Sequence, residues 1–288
     1  MSFSSEVKEE LAKHISPARH CQIAELAAMM NYCGQYGRSR EGNYTIGFQM
    51  ENEAARRKGF TLLKKTFNID TDVAVSEDEM QSFLSKIGNL EEPVSHLLIK
   101  NSCCQRAFLR GAFLSIGSMS DPQKGYHLEF VCTADDKARQ LQSVIQGFDI
   151  DAKIVLRKKY YVVYLKEGSG IVDLLNVCEA HISLMKLENL RIIKEMRNSI
   201  NRRVNCEAAN ITKTVNAATR QIEDIEYIRD HYGFQKLPDN LRQMAEVRLE
   251  NPDAPLKELG EYLDPPVGKS GVNHRLRKLS ELAEKIRI

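Results

Sequence analysis

The chain has 288 residues, more than one ordinary domain, and its 42% hydrophobic and 28% charged residues suit packed cores and exclude a disordered chain. The formal net charge of +2 hides local basicity: Lys186 to Arg220 holds eight basic and three acidic residues, and Lys269 to Ile288 holds six and two. No run is long enough to span a bilayer, and Glu6, Glu9 and Glu10 stand close behind Met1 in place of a signal-peptide core, so a soluble, cytoplasmic protein without membrane partners is expected.

In chain order, the first helix-like apolar run is Ile23 to Tyr36. An alternating stretch follows with Tyr44, Ile46, Phe48 and Met50 on one face, and then a basic helix from Glu51 to Phe67. About 83 residues later the order repeats: Arg106 to Ile116 is helical, Tyr126, Leu128, Phe130 and Cys132 alternate, and Asp135 to Phe148 is helical again. Phe67-Asn68-Ile69-Asp70 corresponds to Phe148-Asp149-Ile150-Asp151. This predicts an internal duplication, with pseudo-repeats at about 20–100 and 101–175. Strands at Lys153 to Leu156 and Tyr160 to Leu165, with a turn at Arg157 to Lys159, add a hairpin to the second half.

The leading helix of each half carries small residues, in Leu26-Ala27-Ala28-Met29-Met30-Asn31-Tyr32-Cys33-Gly34 and in Leu109-Arg110-Gly111-Ala112-Phe113-Leu114-Ser115-Ile116-Gly117. Small residues let helices approach closely. A pseudo-twofold contact there would tie the halves together and leave their sheets forming one curved saddle. Arg56, Arg57, Lys58, Lys64 and Lys65 either line a groove of that saddle or form the solvated face of a helix. The seven cysteines show no CxxC and no Cys/His pairing at zinc spacing, and adjacent Cys103 and Cys104 suit neither an easy disulfide nor a structural metal site. Reduced thiols, no metal and no cofactor are expected.

From Ser183 to His231 the pattern predicts two long helices. In the second, Val204, Ala208, Ile211, Val215, Ala218, Ile222 and Ile225 step by four and three into an apolar seam. Arg202, Lys213 and Arg220 align on the opposite side, flanked by Asn210 and Asn216. Over roughly 27 Å they can follow several phosphates, or they are ordinary surface charges.

The last 34 residues, Pro255 to Ile288, read as a helix-turn-helix. Leu256, Leu259 and Leu263 share one side of a short helix, and Asp264-Pro265-Pro266-Val267-Gly268 stops it. A second helix starts near Lys269, with Val272, Leu276 and Leu279 at helical spacing. Ser270, His274 and Arg277 fall opposite, with Asn273 and Lys278 beside them. Guanidinium and amide groups suit base edges in a major groove, while Lys269, Arg275 and Lys278 can hold phosphates.

The pair of small-residue helices resembles those of the LAGLIDADG homing endonucleases, in which each helix delivers an acidic metal ligand near its C-terminal end. The matching positions here are Cys33 and Ile116, neither of which ligates magnesium. Asn31, Gln35 and Ser118 lie nearby without charge, and Asp121 and Glu41 match no motif position. The resemblance therefore implies the scaffold without its catalysis. The stretch Asn201-Arg202-Arg203-Val204-Asn205-Cys206-Glu207-Ala208-Ala209-Asn210-Ile211-Thr212-Lys213, then Ala217-Ala218-Thr219-Arg220-Gln221, is similar to the signature region of the WhiA family. With the terminal Lys269-Ser270-Gly271-Val272-Asn273-His274-Arg275-Leu276-Arg277-Lys278-Leu279, the resemblance covers essentially the whole chain. It implies a bacterial DNA-binding regulator tied to sporulation, or to cell division and chromosome segregation, with RNA polymerase or a sigma factor as a possible partner.

The expectation is an α+β chain: a duplicated, non-catalytic LAGLIDADG-like domain at 1–182, a helical bridge at 183–232 and an all-α helix-turn-helix domain at 233–288. Its partner is double-stranded DNA at the nucleoid, met by Lys269, Ser270, Asn273, His274, Arg275, Arg277 and Lys278 and along Arg202, Lys213 and Arg220. Two rivals stay open: a metal-dependent endonuclease with relocated ligands, and an interaction protein acting mainly through protein partners.

Overall fold

A computed structural model describes residues 2–38, 44–70 and 75–287, and the chain divides into two compact units, Met1–Glu195 and Met196–Ile288. In the first unit the chain runs α1 (Phe3–Lys13), α2 (Arg19–Cys33), β1 (Gly34–Arg38), β2 (Tyr44–Phe48), α3 (Glu53–Phe67), α4 (Glu77–Ile87), α5 (Ser102–Ile116) and β3 (Gly117–Met119). It continues through β4 (Leu128–Cys132), α6 (Asp135–Gln146), β5 (Lys153–Arg157), β6 (Tyr160–Leu165) and α7 (Gly168–Val177). α8 (His181–His231) follows, and α9 (Asp239–Glu250), α10 (Leu256–Glu261) and α11 (Lys269–Arg287) complete the second unit.

The sequence of α2, β1, β2 and α3 recurs as α5, β3, β4 and α6. Alternation places the strands well: Ile46 and Phe48 in β2, and Leu128, Phe130 and Cys132 in β4, point into the core. The turn after the second-layer helix is also repeated, since Asn68 and Asp149 both adopt left-handed backbone, at φ 58 and 60. Short polar side chains tolerate that conformation.

Two expectations are corrected. The first helix stops at Cys33 rather than Tyr36, because Gly34 opens a strand whose residues pair antiparallel with β2, Tyr36 against Ile46. The strands of the described residues form two sheets, β1-β2 and β3-β4-β6-β5. The halves meet through α2 and α5, as the small residues of those helices predict. Residues 183–231 lie in one helix, not two, for no glycine or proline interrupts them before Gly233. There the amide of Gly233, at φ 86, donates to the Ile228 carbonyl at 2.9 Å and ends the helix.

α2 and α5 are buried on nearly every side from Ala24 to Asn31 and from Ala107 to Leu114. Gly111 permits their approach. A Cβ on it would collide with the Glu25 carbonyl and crowd the Ala28 methyl. This contact carries charge. The Glu25 carboxylate is fully buried between the Lys58 ammonium and the Arg110 guanidinium, whose Nε lies 3.2 Å from it. Arg110 continues to Glu179 at 2.5 Å, and Lys58 donates to the Leu11 carbonyl at 2.7 Å. Lys58 therefore belongs to the core and not to a basic groove, while Arg57 and Lys64 pair with Glu53 and Asp70.

The cysteines are not as isolated as their spacing suggests. His20 and Cys21 lie in the first turn of α2, Cys103 and Cys104 in the first turn of α5, and the four side chains converge. The helix contact brings together what the sequence holds 83 residues apart.

Candidate nucleic-acid interface

The C-terminal helices form their own apolar core. Val272, Leu276, Leu279 and Ala283 of α11 pack against Leu241, Met244 and Ala245 of α9 and against Leu259 and Leu263, joined by Ile225 and Ile228 from the end of α8. Burying that stripe is what holds the helices together. The turn before α11 folds back tightly, since the Val267 amide donates to the Gly260 carbonyl at 2.9 Å and a Cβ on Gly260 would run into the Val267 carbonyl. Two ion pairs brace α11 against α8: Arg287 with the buried Asp224 at 2.9 Å, and Arg220 with Glu284 at 2.8 Å.

With that stripe inward, the sequence-predicted residues of α11 fall as follows. Ser270, His274 and Lys278 are exposed on the opposite side, and Lys269 is exposed at the start of the helix. Asn273 and Arg277 are exposed at its shoulder, where they line a shallow groove with Ala217, Arg220 and Gln221 of α8. Arg275 is half-buried, its stem lying toward the apolar side. Arg277 pairs with Glu281 at 3.1 Å. Glu281 and the exposed Lys285 extend this face and escape the sequence pattern used above, although the spacing of four between Arg277 and Glu281 on a helix is a readable signal. Arg202 and Lys213 of α8 are exposed, and the Arg202 Nε donates to the Asn198 carbonyl at 3.3 Å. Arg220 shares its charge with Glu284, so less of that charge is free than its alignment with the other two suggests.

The C-terminal ends of α2 and α5 have a different chemistry from a metal site. Cys33 closes α2, with its thiol pushed up by burial and the Lys8 ammonium next to it, and Ile116 closes α5. A cation already stands beside the position, and a neutral thiol is a poor ligand for a hard divalent ion. Asn31 is committed elsewhere, its amide donating to the Glu92 carbonyl at 2.6 Å. Asp121 holds a turn by accepting from the Gln123 amide at 2.9 Å. Gln35 and Ser118 are exposed and uncharged, and Glu41 lies outside the described residues.

Family models match this chain in three successive parts: the WhiA N-terminal LAGLIDADG-like domain over residues 19–82, the WhiA LAGLIDADG-like domain over 105–197 and the WhiA C-terminal HTH domain over 200–283. The chain belongs to the WhiA family. A relative from Lachnoclostridium phytofermentans, named a probable cell division protein WhiA, is 51% identical over the full length of both chains. One from Alkaliphilus oremlandii with the same name is 48% identical over 99% of this chain and 98% of its own. The crystal structure of full-length DUF199/WhiA from Thermatoga maritima matches with a TM-score of 0.60 at 27% identity, covering 99% of each chain. As a WhiA family member the chain joins a degenerate LAGLIDADG-like fold to a helix-turn-helix domain, and neither the family nor the ends of α2 and α5 indicate an enzymatic activity. Among the described residues, no helix is long and apolar enough to cross a membrane.

Proposed function

We propose that this chain is a DNA-binding regulator that reads duplex DNA with α11 and steadies itself on phosphates along α8. The observation that carries the reading is the exposed row Ser270, His274 and Lys278, set opposite the buried Val272, Leu276, Leu279 and Ala283, with Lys269 exposed at the start of the helix. Lys269, Arg275 and Lys278 serve phosphates; Asn273, His274 and Arg277 reach base edges. Arg202, Lys213 and Arg220 add sequence-independent contacts. The name shared by the relatives supports a setting in cell division; chromosome segregation or sporulation as that setting, and RNA polymerase or a sigma factor as protein partner, rest on the resemblance of Asn201 to Gln221 to the family signature. A cytoplasmic protein at the nucleoid follows from that reading. Chromatin immunoprecipitation with sequencing separates its two forms: a sharp recurring motif marks a promoter regulator, and broad coverage marks a nucleoid protein.

The test separates specificity from affinity. Arg277→Ala should cost about 1–3 kcal/mol on the preferred duplex and little on a scrambled one. Lys269→Ala, at a phosphate, should weaken both alike. Fluorescence anisotropy on the two duplexes at two salt concentrations measures this. Equal losses on both duplexes for Arg277→Ala, with helicity intact, would move sequence reading away from α11.

A further inference from the structure

We propose that His20, Cys21, Cys103 and Cys104 form a tetrahedral zinc site that staples the first turn of α2 to the first turn of α5. Their ligand atoms all lie within 4.8 Å of one another, and the Cys103 Sγ is 3.5 Å from the His20 Nε2. Around a zinc ion with bonds of about 2.3 Å to sulfur and 2.0 Å to nitrogen, ligand atoms sit roughly 3.5–3.8 Å apart. The four side chains need to close by no more than about 1 Å to take that shape.

The donor set selects the metal. Three thiolates and an imidazole are soft to borderline ligands that suit zinc and repel no part of its coordination preference, whereas magnesium and calcium require oxygen. Four protein ligands leave no open position, so the site is structural and not hydrolytic. All four residues occupy first turns, two on each helix, so one ion would join the two helix ends directly.

Placement supports the same role. Cys21 and Cys104 are buried with Ala24 and Ala107 in a small cluster apart from the main core, while His20 and Cys103 are exposed and leave the ion a way in. His20 and Cys103 hold equivalent positions in the two halves, as do Cys21 and Cys104, so each half supplies the site with two ligands. It lies at the opposite end of α2 and α5 from Cys33 and Ile116.

The experiment uses the full chain, freed of any affinity histidines and purified under reducing conditions. Elemental analysis should find about one zinc per chain. Cobalt(II) should give thiolate charge-transfer and tetrahedral d–d absorption that zinc displaces. Cys103→Ser should abolish both signals, and because that side chain is exposed its loss leaves the core intact. Cys206→Ser, exposed on α8, should keep them. A chelator should lower the Tm of the parent chain and leave that of Cys103→Ser unchanged. The proposal is overturned if the reduced chain binds neither metal, if Cys103→Ser retains full binding, or if the chain is isolated from cells with Cys21 and Cys104 joined as a disulfide.

Discussion

Arg110 has both of its charged neighbours on other elements and almost no water: its side chain is 2% exposed, between Glu25 on α2 and Glu179 beyond α7. Taking one member out of such a group leaves the rest charged and dry, which costs more than the pair itself contributes. Arg110→Met should therefore destabilise the first unit by about 3–5 kcal/mol in denaturant unfolding. Replacing Glu25, Lys58 and Arg110 together with apolar residues of similar volume should cost far less than the sum of the single changes. If the triple replacement is as damaging as that sum, the charges are net stabilising and this account of them fails.

At the scale of elements, the decisive contact is between α2 and α5. Gly111→Val should cost about 1–3 kcal/mol through overpacking against the Glu25 carbonyl and Ala28, whereas the same change at the unobstructed Gly268 should not produce such a clash. Thermal or urea unfolding of the two variants measures the difference. Much of this layer was legible in the sequence. Alternation at Ile46, Phe48, Leu128 and Phe130 marked strands, and small residues at Ala27, Ala28, Gly111 and Ala112 marked the helix contact, because each pattern is set by neighbours close in the chain. The α11 stripe was legible for the same reason. Convergence of His20 and Cys21 on Cys103 and Cys104 was not, since it depends on the register of two helices and no local spacing records that register. The core position of Lys58 was hidden likewise: a lysine among lysines and arginines reads as solvated until Glu25 is seen opposite it. The continuity of α8 was readable and missed, the absence of glycine and proline being its signal.

Over the whole molecule, the first unit and the C-terminal helices each close a core of their own, and between those cores α8 is exposed at every residue from 196 to 217. Val204, Ile211 and Val215 stand in solvent there, so among the described residues the apolar seam expected from the spacing is buried only at its end, at Ile225. A helical stretch without tertiary packing keeps only the stability of an isolated peptide, which is marginal at this length. Its amides should exchange hydrogen faster than those of α2, α5 or the buried side of α11, and trypsin should cut first at Arg202, Arg203 or Lys213. Equal protection along the whole of α8 would contradict this.

Duplex DNA should slow exchange in that stretch, and neutralising Arg202, Lys213 and Arg220 should reduce the salt slope of binding by about 0.9 for each phosphate that then keeps its counterion. On the proposed reading, a duplex firms up a helix that the chain forms but holds weakly. A segment that sits near the midpoint between coil and helix gives up conformational entropy when phosphates fix it, and that loss grows with temperature. Affinity for any duplex should accordingly weaken on warming more steeply for the full chain than for the C-terminal helices alone, making the bare middle of α8 a thermometer built into the strength of DNA binding.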